Sequence, residues 1–253
     1  MDHKLVRLGK LPARRDPRTL RLAKYFTPEL PAPPPSVDWT KGVTEWGMLG
    51  NDQVGDCVFA GVEHSIQTAM TNVGAAWDGS VSAGEALKYY GWWAGYVPGD
   101  PNTDNGADEL TVLTKWRKMG YAGHKLVGFA DPDPVDITHV RQSVQLFGGI
   151  YIGLQLPLSA QNQSVWDVAG NPYNDPNCQP GSWGGHAVWC VAYDEKTITC
   201  ITWGELQKMT LRFWSTYCDE SHALLLGYWM ERGVAPSGFR YAQLLQDVAE
   251  VTG

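Results

Sequence analysis

The chain has 253 residues, of which 43% are hydrophobic and 11% are aromatic, a composition typical of a globular protein. Its formal net charge of −7 is divided unevenly, because residues 1–36 carry a net charge of +5 and the remainder carries a net charge of −12. No apolar run reaches about 18 residues, which excludes a membrane-spanning helix. The acidic body also has no basic patch of the kind that binds nucleic acid, so we expect neither a membrane nor a nucleic acid as its partner.

The first 36 residues are predicted to form an arm separate from the folded domain. The opening sequence MDHKLVRLGKLPARRD is basic and lacks the apolar stretch of a secretory signal, which predicts a cytoplasmic or virion-associated protein. Five prolines within residues 27–36 predict an extended linker. Such a basic arm is expected either to stay solvated or to dock on an acidic surface. That surface could belong to its own body, to another subunit or to a nucleic acid.

The hydrophobic pattern then predicts a helical part of the chain. Helices are predicted over residues 57–71, 82–93, 107–119 and 137–147, followed by a buried strand over 149–156. Asp56 is the predicted N-cap of the first helix, and Cys57 is its first residue. Residues 158–185 are rich in Gly, Pro and Asn and predict a long loop.

A hairpin and further helices are predicted to complete the chain. The runs HAVWCVAY and TITCITW are joined by three residues, a spacing that places Cys190 opposite Cys200 and His186 opposite Gly204. Residues 209–231 are predicted to be helical with a break, and a last helix is predicted over 239–250. Helices followed by strands indicate an α+β protein with two lobes.

The five cysteines are expected to be thiols. They are Cys57, Cys178, Cys190, Cys200 and Cys218. Their odd number, in a chain of this size, does not indicate a disulfide framework. No CxxC or HExxH spacing occurs, so no zinc site and no other metal or cofactor is predicted.

The position of Cys57 indicates a nucleophile. A cysteine attacks as the thiolate, and the N-terminus of a helix stabilises that anion. His186 starts a strand after two glycines and is the predicted partner, which would take and return the proton. His64 lies two helical turns from Cys57, roughly 10 Å along the axis, which is too far for a hydrogen bond. We therefore expect His64, and also His222, to lie at the surface or behind the site.

Two segments resemble the papain-like cysteine peptidases in order and spacing. VDWTKGVTEWGMLGNDQVGDC at 37–57 resembles the segment that leads to the family's catalytic cysteine. HAVWCVAYDEKTITCITWGE at 186–205 resembles the strands that carry its histidine. The resemblance implies a papain-like α+β fold with a central helix and an antiparallel β lobe. It also implies a domain over 37–208, with residues 1–36 as an arm and 209–253 as a helical C-terminal extension.

The resemblance implies a role for each matched residue. Cys57 is the nucleophile and His186 the general base and acid. The glutamine that stabilises the oxyanion corresponds to Asn51 by strict spacing or to Gln53 after a two-residue shortening. The family's histidine-orienting asparagine aligns with Ile201, which cannot form a hydrogen bond through its side chain. Two other residues could orient His186 instead. They are Thr202, if the alignment shifts by one residue, and Asp194 in the turn.

Three hypotheses about function follow. The first is a cysteine hydrolase that cleaves peptide or amide bonds in a peptide or peptidoglycan-like substrate. The second is a catalytically degenerate structural protein, for example a phage virion component, that docks on other subunits through residues 1–36. The third is a zymogen whose arm folds back over the cleft and is removed by cleavage between residues 25 and 37.

Overall fold

The computed structural model describes residues 6–75, 81–230 and 240–252. Within these ranges the helices are α1 Cys57–Val73, α2 Ala83–Ala94, α3 Glu109–Met119, α4 Ile137–Phe147, α5 Leu211–Tyr217, α6 Gly227–Met230 and α7 Tyr241–Thr252. The four helices predicted before residue 150 are confirmed to within about two residues at their ends. None of the helices in the described ranges has the length and apolar character needed to cross a membrane.

The strands of the described ranges form one sheet. They are β1 Leu20–Arg21, β2 Val37–Asp38, β3 Leu126–Asp131, β4 Ile150–Leu156, β5 Val165–Trp166, β6 Gly184–Tyr193, β7 Thr197–Thr202, β8 Glu205–Thr210 and β9 Cys218–Leu226. Their order across the sheet is β1-β3-β9-β4-β6-β7-β8-β5, and β2 pairs with β6. The combination of separate helices with a mainly antiparallel sheet is an α+β fold, as predicted.

Helix α1 is buried along most of its length and packs against β6 and β4. All of its residues from Cys57 to Met70 are buried. Gly61 makes the close approach to the sheet possible, because a Cβ on this residue would lie 2.5 Å from Cε2 of Tyr151 in β4. The Tyr151 hydroxyl donates a hydrogen bond of 2.7 Å to the Val58 carbonyl. These contacts fix the first turn of α1, and with it Cys57, against the sheet.

The substitution Gly61→Ala should destabilise the protein although it raises helix propensity. The added methyl group would overlap the Tyr151 ring, and overpacking of this kind costs about 1–3 kcal/mol, more than the roughly 1 kcal/mol gained in propensity. Urea unfolding followed by circular dichroism will measure the difference. The control is Gly84→Ala in α2, where the new methyl group has nothing closer than Ser82 Oγ at 3.8 Å. Equal effects of the two substitutions would contradict this account of the packing.

The predicted hairpin is present, and its register is confirmed at Cys190, which pairs with Cys200. The ladder between β6 and β7 begins with Trp189 opposite Ile201, so the predicted pair of His186 with Gly204 does not form. Because residues alternate between the faces of a strand, Thr202 shares a face with His186, whereas Ile201 points to the opposite face. Ile201 and Trp189 both lie in the core around α1.

The prediction of a helix over 209–231 is wrong in its middle. Residues Cys218–Leu226 form β9, which lies between β3 and β4 in the sheet. The strand is buried on both faces from Glu220 onward, where three polar residues precede the apolar run at 223–226. Its sequence therefore lacks the alternation that distinguishes a strand from a buried helix. The segment after residue 208 is therefore part of the sheet as well as the source of α5 and α7.

Candidate active site

Cys57 begins α1 and lies against the start of β6. Its side chain is fully buried, and the backbone N–H groups of Ala187 and Gly9 lie near enough to the sulfur to lower the pKa of the thiol. Ala187 directly follows His186, so the structure brings the first turn of α1 to the predicted base. Asp56 occupies the N-cap position, but its side chain makes no capping hydrogen bond, contrary to expectation. Its carboxyl group is buried, and that burial raises its pKa well above the ordinary value.

His186 is held by the end of β7. Its Nε2 lies 2.7 Å from Thr202 Oγ1, and its ring stacks on Trp203 with 4.5 Å between the ring centroids and 16° between the planes. The ring is 1% exposed. Of the two predicted alternatives for orienting the histidine, Thr202 is in contact with it. Asp194 instead accepts hydrogen bonds from Lys196 and Thr197 within its own turn.

The backbone geometry after β7 presents Trp203 to the histidine. Trp203 adopts a positive φ of 47°, which is uncommon for a bulky residue, and Gly204 follows with a φ of 74°. Trp203 Nε1 also donates a hydrogen bond of 3.3 Å to the Arg7 carbonyl. The indole therefore contacts both His186 and the N-terminal arm.

Residues 6–11 of the arm lie across Cys57. The segment is hydrogen-bonded on one side by Arg7 N–H to the Asn51 carbonyl (3.2 Å) and on the other by Lys10 N–H to the Gly185 carbonyl (3.1 Å). Ala107 N–H donates a hydrogen bond to the Gly9 carbonyl, and the Ala107 carbonyl accepts one from Leu11 N–H, each at 2.9 Å. The arm therefore occupies a groove bordered by the segment before α1, the start of β6 and the segment before α3, and Lys10 forms an isolated bridge with Ala107.

Gly9 is the point of closest approach between the arm and the body. A Cβ on Gly9 would lie 1.8 Å from the Gly55 carbonyl oxygen, a distance that no side chain tolerates. A Cβ on Gly106 would lie 2.0 Å from the Gly9 carbonyl oxygen. Only glycine at position 9 allows the arm to pass this close to Gly55, two residues before Cys57. A lone glycine within a basic arm was the only signal of this contact in the sequence.

Burial determines the protonation state of Cys57. Burial raises the pKa of the thiol to about 12, and the N–H groups of Ala187 and Gly9 oppose this rise without overcoming it. The carboxyl groups of Asp56 and Glu109 add to the increase. In the intact chain Cys57 is therefore a neutral thiol at physiological pH.

The two candidate oxyanion donors lie in different environments. Asn51 is 2% exposed, and its Nδ2 donates a hydrogen bond of 3.1 Å to the Val54 carbonyl. Gln53 is exposed, and its backbone N–H bonds to the Gly50 carbonyl. The Asn51 amide is thus committed to its own turn, whereas the Gln53 side chain extends from the surface of the same turn.

Two histidines expected at the surface are buried. His64 is 2% exposed, its Nε2 lies 3.1 Å from the Trp46 carbonyl, and burial lowers its pKa to about 4. His222 is 3% exposed and lies in β9, with its Nδ1 2.6 Å from Asp131 Oδ1. The expectation for His222 was wrong because its segment was taken for a surface helix. Of the two positions expected for His64, the surface is excluded because α1 is surrounded on all sides.

His222 belongs to a buried charged cluster next to the groove. Lys10 from the arm contacts Glu220 Oε1 at 2.7 Å and Asp219 Oδ1 at 3.0 Å. His222 Nε2 lies 3.7 Å from Glu220 Oε2 and 3.8 Å from Glu109 Oε2. Among the described residues Glu109, Glu220 and His222 are the group with the geometry to hold a metal ion. In the intact chain the Lys10 ammonium lies against the same carboxylates and competes with any such ion.

The charge on His222 should make stability depend on pH above 6.5. Burial opposes its protonation, but the hydrogen bond with Asp131 and the attraction of the nearby Glu220 and Glu109 carboxyl groups prevail and raise its pKa to about 10. The contribution of the charged form is complete below the unfolded-state pKa near 6.5 and is lost as the pH rises to about 10. Asp131→Asn should therefore lower the free energy of unfolding more at pH 6 than at pH 9.5.

Urea unfolding at these two pH values will test this expectation. The control is Glu195→Gln, which removes an exposed carboxylate from the β6–β7 turn. An Asp131→Asn effect of the same size at both pH values would show that His222 is not charged through this contact.

Several solved structures share this architecture, although no family model and no curated protein sequence matches the chain. Xylellain, a cysteine protease from Xylella fastidiosa, is 15% identical with a TM-score of 0.54, over 87% of this chain and 96% of that one. Digestive procathepsin L 3 from Tenebrio molitor is 15% identical with a TM-score of 0.58, over 88% of this chain and 78% of that one. The cysteine protease and lectin-like domains of Cwp84 from Clostridium difficile are 11% identical with a TM-score of 0.53, over 87% and 56% of the two chains.

The chain therefore has a papain-like α+β fold, in agreement with the resemblance of its sequence. At these identities the likeness concerns the fold alone, and activity has to be argued from the site.

Proposed function

We propose that the protein is a papain-like cysteine hydrolase that cleaves peptide or related amide bonds. The observation that carries this proposal is the position of residues 6–11, which lie extended across Cys57 and form backbone hydrogen bonds to both sides of the groove. A groove that holds one peptide strand in this way offers the same hydrogen-bonding groups to a peptide substrate.

The residues around the groove supply the groups that amide hydrolysis requires. Thr202 accepts the Nε2–H of His186, which leaves Nδ1 to take the proton of the Cys57 thiol. The thiolate attacks the amide carbonyl, and the oxyanion accepts hydrogen bonds from the Cys57 N–H and the Gln53 side chain. His186 then gives its proton to the leaving amine, and a water molecule hydrolyses the thioester. No step needs a metal ion or an organic cofactor.

We assign the oxyanion donor to Gln53 rather than Asn51. The Asn51 amide already donates to the Val54 carbonyl and is buried below the turn. Gln53 is exposed on the same turn and has the longer side chain. Its use as the donor leaves the hydrogen bond between Asn51 and Val54 intact.

The intact chain is expected to be latent. Residues 6–11 fill the groove, and Lys10 pairs with Ala107 in the parallel direction. The thiol is fully covered, and its raised pKa keeps it protonated. Activity therefore requires that residues 6–11 leave the groove.

The place where the arm is attached suggests where it is cut. Leu22 and Tyr25 are fully buried, and β1 pairs with β3, so the segment after residue 20 is part of the body. The chain between residues 11 and 18 is mostly exposed. Cleavage there frees residues 6–11 and preserves the buried contacts, so we propose processing in this stretch rather than between residues 25 and 37.

The proposal is tested by incubating the purified protein between pH 4 and pH 7 and determining its N-terminus by mass spectrometry. We expect a new N-terminus between residues 12 and 19, accompanied by hydrolysis of a fluorogenic peptide mixture. The Cys57→Ala variant should remain intact and inactive. If the wild type and this variant are processed equally, the cut is made by another protease. If protein that retains Cys57 but lacks residues 6–11 hydrolyses no peptide, the hydrolase proposal is wrong.

A second candidate is a structural protein that keeps the fold without catalysis. The observation that favours it is the complete covering of both Cys57 and His186, which are 0% and 1% exposed. In that case the arm would dock on the body of a neighbouring subunit in the way that it docks on its own. Lack of hydrolysis after removal of residues 6–11, together with concentration-dependent oligomers, would support this candidate.

A further inference from the structure

The Lys10 side chain lies in a pocket that opens from the groove. It is completely buried, and its ammonium group contacts Asp219 and Glu220. The aliphatic part passes over Gly153 in β4, where a Cβ would lie 1.9 Å from Lys10 Cε. Gln155 Nε2 donates a hydrogen bond of 2.7 Å to Asp219 Oδ2 and so fixes that carboxylate. The pocket thus fits a long unbranched side chain and has carboxylates at its closed end.

The pocket contains more negative than positive groups even when Lys10 is present. Its acidic groups are the carboxyl groups of Glu109, Asp131, Asp219 and Glu220, and their cationic partners are Lys10 and His222. Glu109 is 0% exposed, and neither of its carboxylate oxygens accepts a hydrogen bond from the described residues. If Lys10 leaves, Asp219 and Glu220 lose their ammonium partner while remaining largely enclosed by protein, which is costly unless another cation takes its place.

The pocket lies beside the reactive atoms. The N–H of Gly9 reaches the Cys57 sulfur, and the next residue fills the pocket. Lys10 N–H bonds to the Gly185 carbonyl, one residue before His186. A side chain in this pocket therefore belongs to a residue within about two positions of the bond that Cys57 attacks.

Resting on the proposed hydrolase function, we propose that this pocket selects a lysine side chain of the substrate and that Lys10 occupies it as an internal substitute. The substrate class is peptides with a lysine close to the scissile bond. Arginine should bind less well, because the enclosed end of the pocket fits an ammonium group and its aliphatic stem. A neutral or acidic residue should bind poorly, since it leaves Asp219 and Glu220 buried without a cation.

The first test measures whether the Lys10 charge holds the arm in place in the full-length chain. Lys10→Met keeps the length of the side chain but removes its charge, and it should increase the rate of Cys57 alkylation by iodoacetamide at pH 7 at least tenfold. The matched control is Lys41→Met, which removes an exposed lysine. Alkylation of Lys10→Met at the wild-type rate would overturn the proposal, because the pocket would then not depend on a cation.

The second test measures selectivity by protection of Cys57. In full-length Gly9→Ala protein, with EDTA present, the peptides VRLGKL, VRLGRL and VRLGEL and a norleucine version compete with alkylation. We expect the lysine peptide to protect at concentrations at least tenfold lower than the norleucine peptide. In the Glu220→Gln background this ratio should fall towards one, whereas the exposed Glu205→Gln control should preserve it. Equal protection by the lysine and norleucine peptides, or an unchanged ratio in Glu220→Gln, would contradict the proposal.

Failure of this inference differs from failure of the proposed function. If the lysine peptide protects Cys57 but no lysine-containing peptide is hydrolysed, the pocket is confirmed and the hydrolase proposal is wrong. If peptides are hydrolysed without preference for lysine, the hydrolase proposal stands and the pocket does not select the substrate.

Discussion

Replacing Gly9 with alanine is expected to expose Cys57 and to increase its rate of alkylation about 10- to 100-fold. The added Cβ would lie 1.8 Å from the Gly55 carbonyl oxygen, so the arm cannot keep its position over the sulfur. Overpacking costs of roughly 1–3 kcal/mol correspond to this range of rates if alkylation requires the arm to open. Fluorogenic peptide hydrolysis should rise in parallel.

The same variant reports on the ionisation of the thiol. Burial is the main reason that the pKa of Cys57 is about 12, so removing the arm should lower that pKa. Alkylation of the Gly9→Ala protein at pH 5.5 should then occur at Cys57 faster than at Cys178 or Cys218, located by mass spectrometry. The control Gly84→Ala adds a methyl group without a close contact and should leave the rate unchanged. If both variants react like the wild type, the arm does not limit access to Cys57.

The second large effect is expected at His186. In the Gly9→Ala background, His186→Ala should lower kcat/KM by about 10²–10⁴-fold, the range attributed to general acid–base catalysis. Thr202→Val removes the partner of His186 Nε2 at 2.7 Å but keeps the size of the side chain, and we expect a smaller loss of about tenfold. Thr202→Ser retains the hydroxyl group and should restore most of the activity.

A pH profile and one further variant separate orientation from general structural damage. Loss of the Thr202 contact should shift the pH dependence of kcat/KM, whereas a packing defect would lower activity equally at all pH values. Ile201→Asn restores the residue type that the sequence alignment places at the orienting position. Because Ile201 faces Trp189 in the core, the new amide would be buried and should cost about 1–3 kcal/mol of stability without raising activity. A gain in activity for Ile201→Asn would show that our assignment of Thr202 is wrong.

The sequence by itself determined the elements that depend on local signals. Helix α4 has its predicted bounds of 137–147, because Asp136 caps its first turn and Gly148 ends it. The hairpin register predicted from a three-residue connection is confirmed at Cys190 and Cys200, whereas a register shift between Cys190 and Ala192 moves the pairing beside the turn by one residue. These features depend on residues close together in the chain. The sequence patterns that pointed to Cys57 and to His186 were also local, because each lies within one short segment.

Only the tertiary structure decided which distant segments meet at the groove. The placement of β9 between β3 and β4 depends on long-range pairing, which a run of buried apolar residues does not encode. In the sequence Gly9 and Lys10 belonged to a basic arm that was expected either to stay solvated or to dock on an acidic surface, and neither residue stood out within it. Their contacts with Gly55 and Glu220 become visible only when segments more than 40 residues apart are brought together. The physical reason is that steric fit and buried charge are properties of the assembled surface and not of either segment alone.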